Sequence, residues 1–162
     1  MRRVRALAAF LFVIAACVGC DHASKRAALQ LLVPGSPIAL AGDTVRFQLV
    51  ENPGAFLSLG ASLPEPLRSA LLSGFVPLLL LCLCAYRIRP ARNSAVERVA
   101  LGLVVGGGLG NWIDRLQHGG AVTDFVSVGL GPLRTGIFNA ADVAIMAGLA
   151  LVLWSTRSED RA

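Results

Sequence analysis

Asp124, in the run Val122-Thr123-Asp124-Phe125, and Asp142, in Phe138-Asn139-Ala140-Ala141-Asp142, are the residues of this 162-residue chain whose type and placement bear most directly on chemistry. Asp142 opens a hydrophobic stretch, Val143 to Trp154, and Asp124 lies in the short loop before it, so both reach one membrane surface. A carboxylate at the edge of an apolar segment is costly and marks a functional site by default. Two carboxylates brought together in partly dry surroundings do not both ionise readily, and they hold one proton between them. The ionised member can then take a proton from a water attacking a peptide carbonyl, while the protonated member hydrogen-bonds the developing oxyanion. Each residue also has a plainer use, Asp142 as a cap of the last helix and Asp124 as a turn residue. The remaining polar residues decide between the two uses.

The chain is 55% hydrophobic and only 15% charged, which excludes an ordinary soluble domain. Its net charge of +5 does not point to nucleic acid, because the arginines lie in patches flanking apolar runs and no aromatic-basic surface accompanies them. The positive-inside rule accounts for them. Cys17, Cys20, Cys82 and Cys84 all fall inside apolar segments and read as small buried hydrophobes, with neither disulfides nor a metal site expected.

Four apolar segments follow from this. Ala6 to Gly19 becomes long enough to span if the helix continues through Asp21 and Lys25 to Leu29. Asp21 and Lys25, at i and i+4, then share a face and pair or point into the bundle. Between Leu32 and Pro66, prolines and glycines punctuate the chain, and Thr44 to Val50 alternates as a half-exposed strand does. Asn52-Pro53-Gly54 is a turn directly after it. The third segment carries Gly106-Gly107-Gly108, which permits close helix approach, and Gly107, Asn111 and Asp114 fall on one face. Asn139 and Asp142 share a face of the fourth. The expected architecture is an all-α membrane protein, one domain over residues 1–162, with transmembrane helices at about 6–29, 67–86, 96–115 and 136–155. A small β-rich extracytoplasmic loop, about 32–66, joins the first two spans.

Four spans place Arg2, Arg3 and Arg5, the Arg87 to Arg92 cluster, and Arg157 with Arg161 on one side, which is cytoplasmic, with both termini inside. Asp21, Lys25, Asn52, Asn111, Asp114, Arg115, Asp124, Asn139 and Asp142 then all lie at the outer face. A random scatter would not bring every intramembrane polar residue to one level. Two other classes compete. A proton-coupled transporter also uses intramembrane Asp, Asn and Lys, but its relay continues toward the inner face, where spans two and four are apolar. The basic start, the short apolar run and Cys17-Val18-Gly19-Cys20 are also those of a lipoprotein lipidated at Cys20, against which stand the Cys three residues before Cys20 and the three further apolar segments. His22 and His118 flank the membrane ends as solvated or capping residues.

Taken in order, Asp21-His22-Ala23-Ser24-Lys25, Asn52-Pro53-Gly54, Gly110-Asn111-Trp112-Ile113-Asp114-Arg115, Val122-Thr123-Asp124-Phe125 and Phe138-Asn139-Ala140-Ala141-Asp142 resemble the motifs of the lipoprotein signal peptidase family, also called signal peptidase II or prolipoprotein signal peptidase. The resemblance covers essentially the whole chain. It implies an aspartic endopeptidase of the bacterial inner membrane with Asp124 and Asp142 as catalytic dyad and its site at the periplasmic face. Asp21, Lys25, Asn52, Gly54, Gly107, Asn111, Asp114, Arg115, Asn139 and Ala141 match the family's surrounding shell, which orients the dyad and lines the substrate groove. It further implies diacylglyceryl-modified prolipoproteins as substrates, cut on the amino side of the lipidated Cys within membrane lipid, inhibition by the cyclic peptide globomycin, and no cofactor, metal or nucleic acid. One departure is that Ala55 is followed at once by Phe56, where the family commonly has two alanines before its Phe.

Overall fold

The computed structural model describes residues 1–88 and 94–159. Helix α1 (Arg2–Leu31) is followed by strands β1 (Ile38–Leu40) and β2 (Val45–Asn52) and a single 3-10 turn at Phe56–Ser58. A second long helical segment combines α2 (Glu65–Ser69), a π-helical turn (Ala70–Phe75) and α3 (Val76–Ile88). Then come α4 (Ala95–Gln117), β3 (Val122–Leu130), β4 (Leu133–Arg134) and α5 (Ala140–Glu159). Arg89 to Arg92 of the inner arginine cluster, and Arg161, lie outside the described residues.

Burial is inverted relative to a soluble protein. Phe12, Leu81 and Leu153 are 73%, 64% and 62% exposed, whereas Asp21, Asp124 and Asn139 are 0%, 1% and 1% exposed. Apolar exposure on this scale needs lipid to cover it. Arg3–Leu31 and Glu65–Tyr86 are long and apolar enough to cross a membrane, and Ala140–Thr156 is a shorter apolar helix. Among them stands α4, which starts with a full capping box between Ser94 and Glu97 and carries the glycines. A Cβ on Gly106 would meet Cys17 at 2.7 Å, one on Gly110 would meet the Asp21 carboxylate at 2.7 Å, and one on Gly107 would meet the Ala141 carbonyl at 2.5 Å. α1 and α5 therefore approach α4 to backbone distance on two sides, as small residues allow where water does not drive packing. Cys17, Cys20, Cys82 and Cys84 are free thiols.

The sheet corrects the sequence expectation. It has four antiparallel strands in the order β1-β2-β3-β4, so half of it comes from the connection between α4 and α5 rather than from the 32–66 loop alone. The fold is helical with a small sheet, not all-α, and Asp124 is a strand residue rather than a loop or turn residue. The reason is local composition: Val122 to Val128 is rich in β-branched residues, and Gly131 supplies the positive φ that turns β3 into β4. β2 begins at Val45, one residue after the start of the alternation at Thr44, and its register with β3 shifts between Phe47 and Val50. That irregularity restores the pairing Val50 to Asp124 and Asn52 to Val122, bringing the Asn52 turn beside Asp124. At the far end of the sheet, Asp43 is ion-paired to Arg46 at 2.6 Å and to Arg134 at 3.1 Å, and Arg134 also donates to the Asp43 carbonyl.

Candidate active site

The start of α5 is where the polar residues converge. The first N–H groups of a helix have no partner within it, and here side chains supply them. Asn139 precedes the helix and its Oδ1 accepts from the Asp142 N–H at 3.0 Å, while Asp142 Oδ2 accepts from the Asn139 N–H at 3.3 Å. This reciprocal pair is a capping box. Asp21 Oδ1 accepts the N–H of Ala141 at 3.0 Å, so α1 also caps α5. The plain reading of Asp142 as a helix cap is thus correct.

Asn139 has a further use. Its side-chain Nδ2 donates to Asp124 Oδ1 at 2.6 Å and to Asn111 Oδ1 at 3.0 Å, and Asn111 Nδ2 donates to Asp142 Oδ1 at 2.9 Å. Two amides therefore link the two carboxylates. Asn52 Nδ2 donates to the other oxygen of Asp124 at 2.8 Å, and Asn52 Oδ1 accepts from Gly54 N–H at 2.8 Å, fixing which way the amide points. Lys25 Nζ bonds Asp21 at 2.8 Å and Asn111 Oδ1 at 3.0 Å, and lies 3.2 Å from Asp114. Asp114 in turn accepts the Thr123 N–H at 2.7 Å, which holds β3 at the residue before Asp124. Arg115 donates to the carbonyls of Gly54 at 2.6 Å and Asn111 at 3.3 Å, tying the Asn52 turn to α4.

All twelve residues singled out in the sequence enter this one cluster, Gly107 through its contact with Ala141 and the others through hydrogen bonds. The cluster also uses the Thr123 N–H and the Ala55 carbonyl, which accepts from Asn52 at 3.0 Å. Neither was singled out, because a backbone group leaves no mark in residue type. Phe56 is 40% exposed on the 3-10 turn. His22 and His118 each place Nδ1 on a carbonyl one helical turn back, Val18 and Asp114, and His118 also stands 3.3 Å from the Asp114 carboxylate.

Charge is not balanced here by one cation per carboxylate. Asp21, Asp114, Asp124 and Asp142 are buried with only Lys25 and Arg115 among the described residues of the cluster. Lys25 is occupied by Asp21 and Asp114, and Arg115 by backbone carbonyls. Asp124 receives amide donors alone. Desolvation by burial is the largest influence on it and raises its pKa to about 6, with the nearby Asp142 charge adding to the rise and the Asn52 and Asn139 amides opposing it. A folded-state pKa above the ordinary carboxylate value means that this group costs stability as pH rises from about 4 through about 6, and costs nothing further above that. A shift of this size corresponds to about 3 kcal/mol. Asp124→Asn, neutral at every pH, is therefore expected to raise Tm relative to the parent at pH 7.5 and to lose most of that advantage at pH 4.5. Thermal unfolding in detergent at the two pH values checks this, and an equal Tm difference at both would contradict it.

Known proteins resemble this chain first in fold and then in sequence. Two solved bacterial membrane enzymes share the fold, one with a TM-score of 0.82 over 94% of this chain and 90% of its own, the other with 0.77 over 92% of each, both at 22% identity. The family described as signal peptidase (SPase) II matches residues 13–157. The lipoprotein signal peptidase of Rhodococcus jostii is 36% identical over 149 residues, covering 88% of this chain and 70% of its own, and that of Gloeobacter violaceus is 36% identical over 146 residues, covering 89% and 79%. The chain belongs to the signal peptidase II family, and it is a membrane peptidase.

Proposed function

We propose that this chain is an aspartic endopeptidase that removes signal peptides from diacylglyceryl-modified prolipoproteins, cutting on the amino side of the lipidated Cys. The observation that carries the reading is the amide chain Asp124, Asn139, Asn111, Asp142, which holds two buried carboxylates in one network with neither ion-paired to a cation among the described residues. With one proton between them, the ionised aspartate takes the proton of the attacking water and the protonated one donates to the carbonyl oxygen. The proton then passes to the leaving amine, returning the dyad to its starting state. The shell has defined tasks: Asn52, Asn111 and Asn139 aim the carboxylates, Lys25 pairs with Asp21 and Asp114, Arg115 holds the Gly54 turn, and Gly107 with Ala141 lets α5 approach α4.

On this reading α1, α2 with α3, α4 and α5 are four spans, the site lies at the periplasmic face of the inner membrane and both termini are cytoplasmic, an orientation that the inner arginines support. The helix through Cys20 runs unbroken to Asp21 and Lys25, which the site requires, so Cys20 is an exposed residue of a retained helix rather than a lipidation site. The purified protein, given a diacylglyceryl-modified prolipoprotein, is expected to release a mature form beginning at the modified Cys, read by intact-mass spectrometry, and globomycin is expected to stop the release. Cleavage at any other bond, or none, would refute the assignment.

A further inference from the structure

Each side of α4 has to be fixed for Asn111 to reach Asp142. α1 and α5 meet it at the glycines, and polar bonds tie it to β3 and to the Gly54 turn. The remaining side faces the second long helical segment. There the side chain of Leu80 comes within 2.7 Å of where a Gly108 Cβ would stand, a contact that is apolar and gives no direction. One turn further along α4, the indole N–H of Trp112 donates to the Ser73 carbonyl at 3.0 Å. Ser73 lies inside the π-helical turn Ala70–Phe75. Such turns insert a residue into an α-helix, change the rotation of everything beyond them, and recur at functional sites. A directional bond in an apolar surrounding sets helix rotation in a way that apolar packing does not.

Trp112 directly follows Asn111, so the two side chains leave α4 about 100° apart. Turning α4 by about 10° would move an amide about 6 Å from its axis by about 1 Å. The Asn111 bond to Asp142 is 2.9 Å, and a displacement of that size breaks it. The geometry points to Trp112 as a positioning residue: its indole N–H, held by the Ser73 carbonyl of the π turn, fixes the rotation of α4 and through it the Asn111 amide on Asp142. This rests on Asp142 being one of the two reacting carboxylates. The π turn is then the part of the second segment that serves the chemistry, although it contributes no side chain to the site.

The test uses the whole protein with two replacements at position 112. Trp112→Phe removes the donor and part of the ring; incorporation of benzothienylalanine, with sulfur in place of the indole N–H, keeps shape and removes the donor alone. Both are expected to lower kcat about tenfold with KM within about twofold of the parent, since misplacement of a catalytic group by about 1 Å costs up to about 100-fold. A residue that served only packing would leave kcat of the benzothienylalanine protein unchanged, and that result overturns the proposal even if Trp112→Phe is impaired or does not fold. A raised KM with kcat retained overturns it as well, since it makes Trp112 a substrate contact. Asp142→Asn is assayed alongside: if it stays active, the dyad reading has failed, and if it is inactive while both position-112 proteins match the parent, only the positioning role has failed.

Discussion

Asp124→Asn and Asp142→Asn are each expected to lower kcat by at least about 10⁴-fold, the upper end of what a positioned acid-base group contributes. The double variant should be little worse than either single one. The argument is one of shared function. Each asparagine is nearly isosteric with the residue that it replaces, but neither can hold or pass the proton that the pair shares. Once one member is gone, the other has no partner and its loss costs little more, as expected of groups acting as a unit. Substitution also disturbs the amide chain in a definite way. Both oxygens of Asp124 accept from amide nitrogens, Asn139 on one and Asn52 on the other, so an amide at position 124 necessarily sets one nitrogen against another. The same holds at Asp142, whose oxygens accept from Asn111 Nδ2 and the Asn139 N–H. Folding should nonetheless survive, because at neutral pH a neutral residue at 124 relieves the cost of an ionised one in a desolvated place. Initial rates on a lipidated substrate, with gel filtration to show that each variant is folded, give the result. Either single variant within about tenfold of the parent would contradict the dyad, as would a double variant whose loss is the product of the two single losses.

Much of the site was legible in the sequence because its residues are of the wrong type for their surroundings. Asp21, Lys25, Asn111, Asp114, Asn139 and Asp142 interrupt or end apolar runs, and a polar group in lipid needs partners, so their convergence followed from placing the helix ends at one level. The Asp21 to Lys25 pair needed only helical spacing, and it is present at 2.8 Å. The sheet was half visible. β2 showed its alternation in residue type, although Val45 to Val50 are all half-buried. β3 did not, since Val122 to Phe125 are all buried, both faces being covered beside the site, and a strand covered on both faces loses its period of two. Its β-branched content was the available signal. That β3 pairs with β2 across some 70 residues of chain is a non-local fact which no window of sequence holds. The π turn was hidden for another reason: it is one extra residue within Ala70–Phe75, a mostly apolar stretch that continues into α3, and such a stretch looks alike whichever way it rotates.

A prolipoprotein carrying its diacylglyceryl group should be cleaved, and the same prolipoprotein without it should be left essentially uncut under identical conditions. The argument starts from where the dyad lies. Asp124, on β3, and Asp142, at the start of α5, are buried beside helices whose outward sides are apolar, with Phe12, Leu78, Leu81, Leu149 and Leu153 all exposed. A water-soluble peptide gains nothing by approaching such a surface. An acylated Cys arrives already partitioned, since each buried methylene contributes about 0.8 kcal/mol and two acyl chains hold the anchor firmly. The acyl chains fix depth, which places the peptide bond before the Cys at the level of the dyad. Confinement to that level replaces much of the entropy cost of bringing bond, water and carboxylates together. The Asn52 turn adds the last element: it is tied to α4 through Arg115 and to Asp124 through the Asn52 amide, so a chain lying along the membrane surface meets a fixed edge there and not a loose loop. The loss without lipid should appear in kcat/KM and exceed about 100-fold, because the anchor serves both binding and depth. The assay compares one prolipoprotein before and after diacylglyceryl transfer, with purified enzyme in detergent micelles and in lipid. Equal cleavage of the two forms would refute lipid-dependent recognition while leaving the aspartyl chemistry standing, whereas cleavage of neither by a folded enzyme would remove both.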